Sequence, residues 1–520
     1  MKRKSKFAAL LISSVILSII ACNTALAQPE AVIEKYVEAV TNGKWRYADD
    51  LWLQREIEHS RRMGITYENI EAKYDCSSPL VSSAQFIQQT DIQPTEYISD
   101  NKAKIVVKVR SFKDTVDVPY YLINENEKWQ LCSPMAVYAD GWESETSKYT
   151  RIFYSENSRI NSYAISAVDA FIDSMGAVFN IPPDRMKHLE KVKLDYYHCD
   201  EQQIENITGF KAQGLTNFQY DAVITQHIPH THELTHFMIN YALESLPLYT
   251  LPAIQEGLAC CLGGRWGKTP EVIFYWGAAS QSLEFGELDE VLSFNGFYHG
   301  QATSDVSYAL SSLLIKAMLG RFDMEQFKEY YLRMSGANYE VVTLPGQIAK
   351  VKAKNIFGVE WDTIRADYDK LVEKYLTTGI YPTGAIDGKR VRKLKDDDMR
   401  AEIYENDSVY CFKIKLPDDK AKGTILFKDK KHKVEKDYDS KFYYDHLPDG
   451  QYDGERYGIW FSAGEAGLYN YYTNFLVAKF VLGFTPSEDY WNSDKNEIRF
   501  AVDKRLIPGK IKSYKIKLRQ

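Results

Sequence analysis

The residues with the clearest chemical purpose are His232-Glu233-Leu234-Thr235-His236. Histidines four positions apart stand one helical turn apart on a common face, about 6 Å along the axis, so both imidazoles can reach one metal ion. Glu233 adjoins the first histidine and can reach a water on that ion without itself binding the metal. The chemistry of such a group is metal-assisted hydrolysis. In a chain with ten histidines, roughly 0.01 such patterns are expected by chance, so coincidence is the weaker account.

A catalytic zinc site of the H-E-x-x-H kind needs a third protein ligand and an open position. The variant that continues H-E-x-x-H-x-x-G-x-x-H is excluded, because Ile239 and Ala242 stand at the glycine and histidine positions. Downstream, Leu251-Pro-Ala-Ile-Gln-Glu256-Gly-Leu-Ala259 opens a second helix behind Thr250 and Pro252. A glutamate in its first turn, after a loop returning from the motif helix, can point at the two histidines, which assigns Glu256. A strand at 220–225 leads into the motif helix, whose first turn can accommodate Pro229. Leu234, Phe237, Met238 and Tyr241 supply its buried face. His230 lies about 200° round the helix from His232 and cannot share the metal. His227 reads as a loop histidine, and His59, His188, His198, His432 and His446 are scattered, suggesting no second metal.

His232-Glu233-x-x-His236, nineteen intervening residues and then Glu256-Gly257-Leu258-Ala259 resemble the gluzincin clan, the zinc metallopeptidases that include thermolysin, and most closely the bacterial peptidase-MA-like wording. The similarity covers roughly residues 145–375. It implies one zinc ion held by His232, His236 and Glu256, with Glu233 as general base toward a zinc-bound water. It also implies an oxyanion donor from a downstream helix, here 304–320, with Tyr308 first and Tyr298 and His299 as rivals. Two departures stand out. The residue four after Glu256, an aspartate in thermolysin-like members, is Cys260, so any group orienting a ligating histidine comes from elsewhere. The Gly-x-Met-x-Asn signature of aminopeptidases is also missing, with Thr208-Gly-Phe-Lys-Ala-Gln-Gly214 in that region. An endopeptidase is therefore the expectation, acting on proteins or peptides, glycoproteins among them. The competing reading is a surface or periplasmic binding protein whose gluzincin fold holds zinc without turnover. Intact Glu233 argues against it, and a zinc hydrolase acting on a non-peptide amide or a cell-wall cross-link stays open.

The rest of the chain must position this centre and deliver it. At 520 residues the length suggests about three domains. The formal charge of −7 comes from interspersed signs, and no basic cluster interleaved with aromatics follows the first six residues, so a nucleic-acid partner is not expected. Met1-Lys-Arg-Lys-Ser-Lys6 followed by an apolar run to Ala21 reads as an export signal occupying 1–27. Cleavage after Ala25-Leu-Ala27 competes with lipidation of Cys22 in Ile19-Ile-Ala-Cys22, and the first is favoured. The product is periplasmic or secreted, or else a lipoprotein. Few cysteines remain: Cys76 and Cys132 could pair, whereas adjacent Cys260 and Cys261 suit buried thiols.

Residues 28–141 read as an α+β accessory unit, with a helix at 31–41, a second from 47 to about 62, alternating strands at 104–110 and 116–123, and a turn before Lys128-Trp-Gln-Leu-Cys132. This order resembles the cone-shaped domains of the nuclear-transport-factor-two and ketosteroid-isomerase group. A polar linker at 141–147 precedes an α+β catalytic domain, 142–376. From 377 to 520, short strands and Pro-Asp-Asp, Pro-Asp-Gly and Pro-Gly turns indicate an antiparallel β-sandwich. Its aromatics, Trp460 and Trp491 included, suit a sugar-binding platform or, more simply, the sandwich core, since alternation turns one aromatic in two inward.

Overall fold

The computed structural model describes residues 28–519 except 430–456, 482–490, 505–510 and shorter stretches of one to five residues, among them 266–268 and 301–303. The expected export signal with its two candidate processing sites, His432 and His446 lie outside the described residues. The architecture is mixed α and β, with several sheets and many helices. By contact density the chain forms two compact units that interleave in sequence: one takes residues up to 158, 182–227 and 243–248, and the other takes 159–181, 228–242 and 249–520. No described helix is long and apolar enough to cross a membrane.

In the first unit, the helix Pro29–Thr41 begins on a proline and buries Val32, Ile33, Tyr36, Val37 and Val40, the 3.6-residue spacing of a one-sided helix. It joins one core with an antiparallel sheet of strands Ile87–Ile92, Lys102–Ser111, Thr115–Glu125 and Lys128–Cys132, with Glu96–Ser99 added to Lys102–Ser111. Lys102, Lys104, Val106 and Lys108 alternate with Ala103, Ile105, Val107 and Val109, the latter four all nearly or fully buried, so one face of this strand is committed to the core. Asn126 and Glu127 both take positive φ, the backbone a two-residue hairpin needs. The second helix expected here is broken into Trp45–Asp49 and Gln54–Ser60.

A second sheet in this unit has the order Gly214–Asn217, Ala222–Thr225, Leu194–His198, Thr150–Tyr154, Glu143–Thr146, with its three central strands parallel. The stretch expected as a linker thus includes an edge strand. Helices Pro183–Val192 and Glu201–Thr208 lie on the connections, as parallel neighbours require. Buried Asp195 is clamped by His59, by Arg62 at 3.4 Å and by Arg151 at 2.8 Å. Cys76 and Cys132 are buried thiols and do not form a disulfide.

The second unit carries the motif helix Thr231–Leu243, the ligand helix Pro252–Gly263 and the long helix Ser304–Arg321. Ten consecutive residues of the motif helix, His232 to Tyr241, are buried, which marks a helix enclosed on all sides and not a one-sided surface helix. The long helix buries Ser307 through Ile315 continuously. Its small residues admit close neighbours: a Cβ on Gly257 would stand 2.9 Å from the Ser311 carbonyl oxygen, and one on Gly277 would stand 2.5 Å from that of Ala309. The C-terminal residues form two sheets whose described strands all pair antiparallel. Phe412, Ile414 and Phe500 of one, with Ile425, Ile459 and Phe461 of the other, meet in a single core.

Candidate metal centre

The motif helix begins at Thr231, so Pro229 precedes it, behind a cis Ile228–Pro229 bond, and does not occupy its first turn. Thr231 donates its hydroxyl to the Gly263 carbonyl, and Thr235 back-bonds to the Thr231 carbonyl at 2.8 Å. The start of the motif helix is thereby tied to the end of the ligand helix. The ligand helix enters from strand Tyr249–Thr250, which pairs with Ser335–Gly336, and the Leu251 amide donates to Met334 at 2.9 Å. Pro252 stands at the helix start as expected, while Glu256 falls one turn later than expected.

The three anticipated ligands converge. Their candidate ligand atoms all lie within 4.8 Å of one another, the two histidines buried and Glu256 nearly so. His232 Nε2 is 3.1 Å from Glu256 Oε2 and 3.3 Å from His236 Nε2, and His236 Nε2 is 3.4 Å from Glu256 Oε2. A tetrahedral ion with bonds of about 2.0–2.1 Å spaces its ligand atoms by roughly 3.3–3.4 Å. The triangle therefore fits a metal of that size, and the group could hold one. Among the described residues no other cluster of His, Cys, Asp and Glu meets the same test.

His232 Nδ1 donates to the Gly264 carbonyl at 2.9 Å, which leaves the Nε2 lone pair facing the other ligands. The orienting group missing at position 260 is thus a backbone carbonyl at the end of the ligand helix. Cys260 Sγ lies 3.8 Å from the same nitrogen, and burial raises its thiol well above the ordinary range. Burial pushes the Glu256 carboxyl up, but the His236 charge and hydrogen bonds from both imidazoles outweigh it and hold the group well below the usual carboxylate range. For His236, burial lowers the imidazole and the Glu256 charge more than restores it. The donor set is one anionic carboxylate and two imidazoles, the chemistry of a divalent first-row ion.

Glu233 is 8% exposed within the motif helix, beside the first ligand. Tyr308 is brought to the site: its ring centre lies 6.4 Å from that of His232. Burial first, then the Glu256 charge, lifts its phenol far above the ordinary range, so it is a neutral donor. Tyr298 hydrogen-bonds to Tyr308 and is half-buried, whereas His299 is exposed. Arg265, which the sequence did not single out, places Nη1 3.3 Å from His232 Nε2 and 3.8 Å from Glu256 Oε2, with its guanidinium 3.5 Å from the centre of the Tyr308 ring. Its only sequence signal is its place two residues past the ligand helix.

Of the remaining histidines, His230 is half-buried with its ring 6.3 Å from that of His232. His188 hydrogen-bonds to the Arg62 carbonyl at 2.8 Å, and burial together with His227 pushes His198 down to about 4. Neither a family model nor any curated protein matches this sequence.

Proposed function

We propose that this chain is an exported zinc-dependent endopeptidase of gluzincin type, its zinc held by His232, His236 and Glu256. The observation that carries the reading is the near-equilateral triangle of ligand atoms, 3.1 to 3.4 Å on a side, with Glu233 on the same buried helix. Zinc, when bound, supplies Lewis acidity that lowers the pKa of a water toward about 7 and polarises the scissile carbonyl. Glu233 takes a proton from the attacking water and delivers it to the amine nitrogen as the C–N bond breaks. The Tyr308 hydroxyl and the Arg265 guanidinium donate toward the carbonyl oxygen as it gains negative charge, the one neutral and the other permanently cationic. Cation–π contact with Tyr308 holds the guanidinium in place.

In the same reading residues 28–141 form a cone-shaped accessory domain, residues 142–376 the peptidase domain and the two C-terminal sheets a sandwich. The test is metal analysis with a peptide-library cleavage assay on wild type and Glu233→Gln. One zinc per chain in both, with cleavage reduced at least ~10³-fold in the variant, is the expected result. Zinc-loaded wild type that cleaves no peptide would instead describe a metal-holding binding protein.

A further inference from the structure

The first unit contains a cavity of about 580 Å³ that takes no residue from the metal centre. Strand Thr115–Glu125, residues 75–79 and residues 207–220 wall it. At its deep end Asp75 is 6% exposed, and its Oδ2 accepts hydrogen bonds from Tyr36 at 2.7 Å and Tyr120 at 2.8 Å. Its Oδ1 accepts from the Gln219 amide at 3.3 Å, and Tyr120 is 3.0 Å from the Ser78 hydroxyl. At the rim Val116 and Phe210 are exposed, and a second carboxylate, Asp117, stands exposed on the same wall. The rest of the lining is largely apolar and aromatic, with Leu215, Phe218 and Tyr220 along one side.

The charge balance is one-sided. Among the described residues the lining includes two carboxylates and no Lys, Arg or His. The hydrogen-bond donors to Asp75 among the described residues, Tyr36, Tyr120, Ser78 and Gln219, are all neutral, so they solvate its charge without cancelling it, and a buried carboxylate in that state is costly. Burial lifts the group to about 7 even against those hydrogen bonds. A positive group entering from the rim would meet the carboxylate in a low-dielectric setting, where attraction is strongest, and its apolar body would find aromatic walls of drug-sized volume.

We propose that this cavity binds an organic cation, an ammonium or guanidinium carried on an apolar frame, with Asp75 as its counter-charge. Such a cation is offered by a free amine or by a basic side chain of a peptide, and the site's chemistry is the same for both. It does not depend on the metal centre.

The test is calorimetric titration of the purified chain with phenethylammonium, with 2-phenylethanol as its neutral counterpart, and with the acetylated, amidated dipeptide Phe-Lys. The peptide is titrated into a Glu233→Gln chain so that it is not consumed. The amine should bind at least about ten-fold more tightly than the alcohol. Asp75→Asn, which keeps an oxygen to accept from the tyrosines, should lose that preference while circular dichroism and melting show an intact fold. Phe210→Ala alters only an exposed rim residue and should weaken amine and alcohol alike, which keeps the test usable if Asp75→Asn does not fold. Tighter binding of the dipeptide than of the amine marks a peptide side chain as the source, and the reverse order marks a free amine. Equal binding of amine and alcohol, no binding of either cation, or unchanged amine binding by Asp75→Asn would overturn the proposal.

Discussion

In the proposed mechanism Tyr308 and Arg265 divide the work of meeting a developing negative charge, and substitution can separate them. Tyr308→Phe keeps the ring beneath the guanidinium and removes only the hydroxyl. It should lower kcat by about 10²-fold with KM and zinc content little changed. Arg265→Ala should also lower kcat by about 10²-fold while the chain still holds one zinc; loss of the metal instead would make Arg265 part of the ligand scaffold. Asp75 gives a residue-scale prediction on stability. Burial raises its carboxyl from 3.8 to about 7. Between those values the folded protein holds a proton that the unfolded chain has released, so this contribution is complete below about pH 4 and is lost as pH rises through about 7. Urea unfolding at pH 5 and pH 8 should therefore show a smaller loss of stability in Asp75→Asn than in wild type, and equal losses would remove Asp75 as the cause.

At the scale of elements, the site depends on how closely the ligand helix seats against its neighbours. Its end meets the motif helix at Gly263, where an added Cβ would stand 2.4 Å from the Thr231 carbonyl oxygen and 2.7 Å from the His232 amide nitrogen. No side chain fits there without moving one helix from the other, and backbone on both sides cannot yield cheaply. Gly263→Ala should thus cost about 1–3 kcal/mol and, because the Gly264 carbonyl orients His232, weaken zinc binding as read by competition with a chromogenic chelator. Gly320 supplies the control, since a Cβ on it meets nothing within 4 Å. Gly320→Ala should leave zinc affinity unchanged and stabilise the long helix by about 0.5–1 kcal/mol. The Glu-Gly-Leu-Ala wording of the ligand helix also acquires a reason: Gly257 lets that helix approach the Ser311 carbonyl.

For the whole molecule, a metal bound only by the folded state adds stability by mass action. Chelation should lower the melting temperature by about 5 °C, and added zinc should restore it; a melting curve indifferent to both would mean that the triangle of ligands holds no structural load. The sequence by itself determined what repeats at short range. The two histidines and Glu233 follow from the 3.6-residue turn, Glu256 from a helix start a short loop away, and the antiparallel pairing of the described C-terminal strands from alternation and turn chemistry. Tertiary structure decided what depends on distant segments packing together. Glu256 lies one turn deeper than its loop suggested, the orienting partner of His232 is a backbone carbonyl with no side-chain signature, and Arg265 reaches the site only because the end of the ligand helix is locked to Thr231. Asp75 becomes a buried charge only where Tyr36, Tyr120 and Gln219 meet it from 39, 45 and 144 positions away, and no local pattern in a chain encodes such a meeting.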